Sequence, residues 1–156
     1  MARLRHPIVE NTCYHVTSVT RGRNEVFGNA KNAGILVAAL QHIRTQGKAY
    51  VLAYCVMPDH FHALIAPKED TDISQIMQSI KGYVARRINA EVEMRGPIWQ
   101  QGFFERAIRD ESQLEAVVAY IHENPVKDGV VGVATDYAFS SAGHPELVDA
   151  EAYFRE

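Results

Sequence analysis

His60 and His62 stand one residue apart in the run YVLAYCVMPDHFHALIAP, whose other residues are mostly apolar. That run reads as two strands joined at Met57-Pro58-Asp59. Side chains of a strand alternate between faces, so the two imidazoles point one way and Phe61 the other. Two imidazoles about 7 Å apart on one pleated face can reach a single divalent ion. Histidine is also a poor filler for a buried strand, because its ring nitrogens need partners. A solvated strand face is the plain alternative, and this segment alone does not choose.

A second chemical segment lies some sixty residues downstream, at Tyr120-Ile121-His122-Glu123-Asn124-Pro125. Asp110 is a suitable N-cap with Gln113 at the capping-box position, and Leu114, Val117, Val118 and Ile121 form the apolar stripe of a core-facing helix. Tyr120 and Asn124 then share a flank of that stripe, one turn apart. A phenol followed by a carboxamide can present a nucleophile and a metal-binding oxygen to one point. Equally, Tyr120 can be a boundary aromatic, with Asn124 closing the helix before Pro125.

The remaining elements must position these groups. Residues 12–20 alternate as a strand, with Cys13, His15 and Thr17 on one face. Asn29 can cap a helix to about residue 46, where Gly47 ends it. Residues 49–57 and 60–66 make the hairpin, and Ile73, Ile76, Met77, Ile80, Val84 and Ile88 stripe a helix over about 72–92. Gly96-Pro97 breaks the chain, residues 103–109 make a fourth strand, and the Tyr120 helix follows. The order strand, helix, strand, strand, helix, strand, helix predicts an α+β fold: a ferredoxin-like split βαβ with an antiparallel sheet. One domain over 1–156 is expected, with its core at about 10–130. Residues 131–156 are poorly readable, irregular with a short terminal helix.

Composition bounds the partners. The chain has 156 residues, 47% of them hydrophobic, enough for a sizeable core. It shows no secretory-type apolar run and no segment long enough to span a membrane, so a cytoplasmic, nucleoid-associated location is expected. Cys13 and Cys55 both fall in strands and read as buried thiols. The net charge of −3 hides an uneven distribution: +5 over residues 1–50, −1 over 51–100 and −7 over 101–156. Arg3, Arg5, Arg21 and Arg23, with Lys81, Arg86 and Arg87 on the second helix, can approach phosphates, so any nucleic-acid footprint is local.

Together these segments resemble the single-tyrosine HUH transposases, closest to the REP-associated tyrosine transposases of the IS200-like superfamily. His60-Phe61-His62 matches the His-hydrophobic-His motif inside Met57-Pro58-Asp59-His60-Phe61-His62. Tyr14-His15-Val16-Thr17 with Arg21-Gly22-Arg23 resembles the family's first strand and basic turn. Ile98-Trp99-Gln100 with Phe103 and Arg106 resembles the entry to the tyrosine helix, and Tyr120 to Lys127 (YIHENPVK) resembles that helix. The resemblance implies an HUH nuclease fold and a metal-dependent single-stranded DNA endonuclease and strand transferase, working through a 5′-phosphotyrosine on hairpin-forming DNA. It assigns Tyr120 as nucleophile, His60, His62 and Asn124 as ligands of Mg2+ or Mn2+, and Arg21, Arg23, Lys81 and Arg86 as DNA contacts. The partner implied is single-stranded or hairpin DNA, bound by a monomer or homodimer.

Rival assignments exist. Tyr83 also lies off its helix's apolar stripe, but its i+4 neighbour is Arg87, which cannot ligate a metal. His122 could be a spare ligand or proton shuttle but points to another helix face, and His15 could approach the metal from an adjacent strand but reads by default as a satisfied sheet histidine. Trp99 and Phe103 read as packing, and Asp59 and Glu123 as ligands or as groups that support ligands. The competing functions are a non-catalytic DNA-binding protein derived from such a nuclease, and an unrelated metal-dependent hydrolase.

Overall fold

A computed structural model describes residues 12–68, 70–92 and 96–149. Arg3 and Arg5 lie outside the described residues, as do residues 150–156, where the terminal helix was expected. Strand β1 spans Cys13–Val19 and is followed by a tight turn at Arg21–Arg23. Helix α1 spans Ala30–Thr45, β2 Ala49–Met57, β3 His60–Pro67 and α2 Ile73–Val92. Strand β4 is Phe104–Ile108 and helix α3 is Glu111–Lys127.

Local chemistry sets these boundaries. Asn29 Oδ1 accepts from the N–H groups of Lys31 (2.8 Å) and Asn32 (3.2 Å), satisfying two first-turn donors of α1. Gly47 leaves that helix at φ +71°, a left-handed conformation that suits glycine. Asp110 Oδ1 accepts from Gln113 N–H at 2.8 Å, while Gln113 Oε1 accepts from Arg109 N–H at 2.6 Å. The return bond of the expected capping box thus falls one residue early. Helix α3 also runs two residues past Pro125, to Lys127. Proline so near the end removes only a last-turn bond, and Asp128 N–H closes the helix onto Asn124 O at 3.1 Å.

The sheet is antiparallel throughout, in the order β2-β3-β1-β4, as a ferredoxin-like split βαβ requires. Helices α1 and α2 cover one face over Val16, Tyr54, Val56, Phe61 and Ile65. On the other face Leu114, Val117 and Ile121 of α3 pack on Cys13, Leu52, Ala53, Cys55, Leu64 and Ile108. A bulge at Leu52 lets that residue and Ala53 face the same side, which brings β2 into register with both cores.

Among the described residues, the stretch after α3 forms only three short 3-10 turns, at Ala134–Asp136, Ser141–Gly143 and Pro145–Leu147. It closes the outer edge of β2. Val56 N–H donates to Phe139 O (2.8 Å), Tyr54 N–H to Ser141 Oγ (3.0 Å), and Val51 N–H to Asp149 Oδ2 (2.9 Å). Arg44 of α1 pins the same segment through Asp149 at 2.7 Å. An open strand edge is thereby paired rather than left as a template for another chain.

Candidate active site

Strand register lays out the site. Across the α3-side face, Cys55, His62, Thr17 and Phe104 form one lateral row, and Leu64, His15 and Arg106 form the next. His60 lies beyond them, opposite Val19 and Met57. His62 and His60 share this face because they are two residues apart, with ring centroids 5.0 Å from each other.

Each imidazole is held by its other side. Asp59 Oδ1 sits 2.7 Å from His60 Nδ1, so a proton on Nδ1 donates to the carboxylate and leaves Nε2 with its lone pair. Asp59 Oδ2 in turn takes Arg23 Nη1 at 3.0 Å. Burial pushes the Asp59 carboxyl up, but the hydrogen bonds and charges of His60 and Arg23 together outweigh it and hold the group below its ordinary range. His62 Nδ1 lies 2.9 Å from Thr17 Oγ1 and 3.1 Å from His15 Nε2. In the tautomer whose Nδ1–H donates to Thr17, His62 likewise keeps an Nε2 lone pair. Burial, then the neighbouring His60 and His15, push the His62 pKa down to about 3, so this ring is neutral at ordinary pH. His15 is lowered as well, by burial and by Arg106.

Tyr120 stands at the margin of this group, 44% exposed. Its ring meets His62 edge-on at 5.4 Å and His15 at 5.9 Å between centroids. Lys127, seven residues on, places its ammonium 5.7 Å from the same ring. Asn124, one turn after Tyr120, is 8% exposed, and its Oδ1 is buried without a hydrogen-bond partner. An orphaned buried carbonyl is costly, and a cation is one partner that would satisfy it. Two imidazoles whose Nε2 atoms can offer lone pairs, with one amide oxygen, suit a hard-to-borderline divalent ion. Among the described residues no group of three His, Cys, Asp or Glu is placed to hold a metal ion.

The basic residues fall in two places. Arg21 and Arg23 form the turn after β1, where Arg23 takes φ +54°, an uncommon conformation for a side chain-bearing residue. That turn is clamped to the hairpin: Thr20 N–H donates to Asp59 O (2.9 Å) and Phe27 N–H to Pro58 O (2.9 Å). Lys81 and Arg86 lie on α2, against the opposite face of the sheet. Lys81 Nζ is tied to Gly102 O at 2.7 Å and covers Trp99, which itself packs on Phe27 and Phe61. The 98–102 segment joins the two groups, since Arg21 N–H donates to Ile98 O (2.9 Å) and Gln100 N–H to Val19 O (2.9 Å).

The rivals sort by position. Tyr83 belongs to the α2 side, where its hydroxyl accepts from Arg87 Nη1 at 2.7 Å. His122 turns to the C-terminal segment, its Nε2 2.8 Å from Ser141 Oγ. Sequence reasoning underrated His15 and Thr17. Their alternation with Cys13 marked the face, but only the β1–β3 register puts them beside His62. Phe104 was read within a strand and not as a site residue, yet it borders the same cleft of about 500 Å3 as His15, His62 and Tyr120.

The chain is similar to known proteins in sequence and in fold. The IS200-like transposase family matches residues 8–124. A REP-associated tyrosine transposase of Escherichia coli K12 is 34% identical over 90 residues, covering 57% of this chain and 52% of that protein. A Haemophilus influenzae protein assigned the same name is 33% identical over 100 residues, covering 58% of this chain and 57% of its own length. The match thus spans little more than half of either curated relative. A REP-associated tyrosine transposase solved with a REP hairpin bound superimposes with a TM-score of 0.72 at 25% identity, over 93% of this chain and 82% of that one. By the span of the family match, the chain belongs to the IS200-like transposases.

Proposed function

We propose that the protein nicks and rejoins single-stranded, hairpin-forming DNA through a covalent bond to Tyr120. The observation that carries this reading is the approach of the Tyr120 ring to His62 and His15, with the orphaned Asn124 oxygen one turn away. The phenolic oxygen attacks the scissile phosphorus in line with the bond to O3′. The new tyrosyl ester forms as the P–O3′ bond breaks. The phenol gives up its proton, and the departing oxygen gains one and leaves as a 3′-hydroxyl. Because the phosphodiester is exchanged and not hydrolysed, a 3′-hydroxyl can later attack the 5′-phosphotyrosine and reseal the strand.

Family membership implies divalent-metal chemistry, and His60, His62 and Asn124 are the side chains we assign to hold Mg2+ or Mn2+. When bound, such an ion supplies Lewis-acid polarisation of the scissile phosphate. The chain's own work is orientation. Asp59 fixes His60, Thr17 and His15 fix His62, and helix α3 carries Tyr120 and Asn124 on one flank. Arg21 and Arg23 are assigned to the phosphates of the DNA hairpin, and Lys81 and Arg86, on α2 against the opposite face of the sheet, to further DNA contacts. The related structure's REP hairpin supports this substrate class.

The test is incubation of the protein with labelled single-stranded hairpin oligonucleotides and Mn2+, followed by a denaturing protein gel. The wild type should form an adduct that Tyr120→Phe and His62→Ala both lack, with the label mapped to Tyr120 by mass spectrometry. Cleavage without an adduct would make the protein a hydrolase. Bound but intact DNA would make it a non-catalytic DNA-binding protein.

A further inference from the structure

The cleft beside Tyr120 has a second aromatic wall that the chemistry above leaves unused. Phe104 opens β4, the outermost strand on that side of the sheet, and is 58% exposed. It lies opposite Thr17 and so extends the His62–Thr17 row by one strand. Its ring meets His15 edge-on at 6.4 Å, and Tyr120 meets the same imidazole at 5.9 Å. Two exposed aromatics therefore flank one buried histidine.

The character of the cleft narrows what can enter it. Its walls are His15, Thr17, His62, Phe104, Arg106 and Tyr120, backed by alanine and valine of α3, with no carboxylate. In a chain of net charge −3 that is a local reversal of sign. Arg106 lies on the same face as Phe104, opposite His15, and makes no ion pair among the described residues. An exposed aromatic face beside an unpaired guanidinium suits an occupant with one flat apolar part and one anionic part. A nucleotide has both.

We infer that Phe104 is a stacking platform for the base adjoining the scissile phosphate, with Arg106 facing that nucleotide's backbone. The inference rests on the proposed nicking reaction, because Tyr120 and Phe104 border the same cleft. It deepens that reading by assigning a base-binding subsite to β4. Stacking uses a face that every base possesses, so this subsite holds the strand in place without selecting its sequence. The competing occupant is a second copy of the chain, since an outer strand with an exposed apolar residue can also pair with its like.

The test uses the full chain carrying Tyr120→Phe, which cannot form the covalent bond, and reads equilibrium binding by fluorescence anisotropy. The probes are a labelled oligothymidylate and an abasic deoxyribose-phosphate oligomer of equal length. Adding Phe104→Ala should weaken oligothymidylate binding by about 5- to 100-fold. The abasic oligomer should change by less than about twofold. Phe104→Trp should restore the preference for bases. Equal weakening of both probes, or of neither, overturns the platform. So does a Phe104→Ala variant whose only change is its sedimentation, which would assign the edge to self-association. If neither probe binds any variant, the platform fails, whereas the nicking reading fails only if the hairpin oligonucleotides also give no adduct. If both bind without preference for bases, only the platform fails.

Discussion

Replacing Asn124 with leucine tests the metal assignment without measuring activity. Its Oδ1 is buried with no partner, and such an acceptor costs about 1–3 kcal/mol relative to one that is satisfied. Leucine keeps the branched shape and the number of heavy atoms with no polar atom, so metal-free Asn124→Leu should be more stable than the wild type by up to that amount. For a chain of this length about 1 kcal/mol moves the midpoint by roughly 2–4 °C, which places the gain at about 2–12 °C. Mn2+ at a hundred times its dissociation constant should stabilise the wild type by about 2.7 kcal/mol. The leucine variant should lose most of that response. Asn124→Asp separates the ligand role from simple burial. Its carboxylate should lower metal-free stability, because an unpaired buried charge is costly, while keeping or strengthening the Mn2+ response. Thermal unfolding followed by circular dichroism, in chelator and in Mn2+, reads all three proteins. A leucine variant that melts below the wild type in chelator would show that the oxygen already had a partner. An undiminished Mn2+ shift in that variant would remove Asn124 from the ligand set.

Three further outcomes follow from the geometry. Tyr83→Phe should form the DNA adduct at the wild-type level, because it removes only an exposed bond to Arg87 on the far side of the sheet; loss of adduct on the denaturing gel would move the nucleophile to α2. Ser141→Ala should lower the melting midpoint by about 2–10 °C, since it strips the buried Tyr54 N–H of its acceptor; an unchanged midpoint would mean that the β2 edge is not secured there. Metal-free protein should lose stability as pH falls below about 6.5, because His62, His15 and His122 are all lowered by burial, His62 to about 3. Below the ordinary histidine pKa the unfolded chain binds protons that the folded one refuses, so each such group contributes up to about 1.4 kcal/mol per pH unit. Urea midpoints at pH 7 and pH 5 check this, and an equal or higher midpoint at pH 5 would contradict it.

What the sequence could show depended on how far each signal travels along the chain. His60 and His62 were legible because a period of two is local, and Tyr120 with Asn124 because the i+4 relation is local. The helices at 30–45 and 73–92 were legible from their apolar stripes and from Asn29 and Gly47. The contact of His15 with His62 was not, since it depends on register between strands 47 residues apart. Lys81 reads as a DNA-facing cation, yet its ammonium is engaged by a carbonyl of the 98–102 segment, a contact no helical wheel displays. Residues 137–149 lack periodicity because single 3-10 turns, such as those closed by His144 N–H on Ser141 O and Leu147 N–H on His144 O, alternate with bonds to the edge of β2.

The open cleft follows from a mismatch of widths. Four strands about 4.8 Å apart make a face roughly twice as wide as a single helix of about 10 Å. Helices α1 and α2 together cover one face, so that side closes into a continuous core. Among the described residues α3 is the one α-helix on the other face, and its buried side chains seat largely on β2 and β3. The remainder, where Thr17, Phe104 and Arg106 lie, is covered by no helix among the described residues. Tyr120 sits where coverage ends, half-exposed beside the fully buried Ile121. A reactive side chain at that border is anchored by the packed half of the sheet and faces the half that stays open to a strand of DNA. Adding bulk to the open half should therefore block DNA while leaving the core intact, whereas trimming Ile121 should unseat Tyr120 and the fold together.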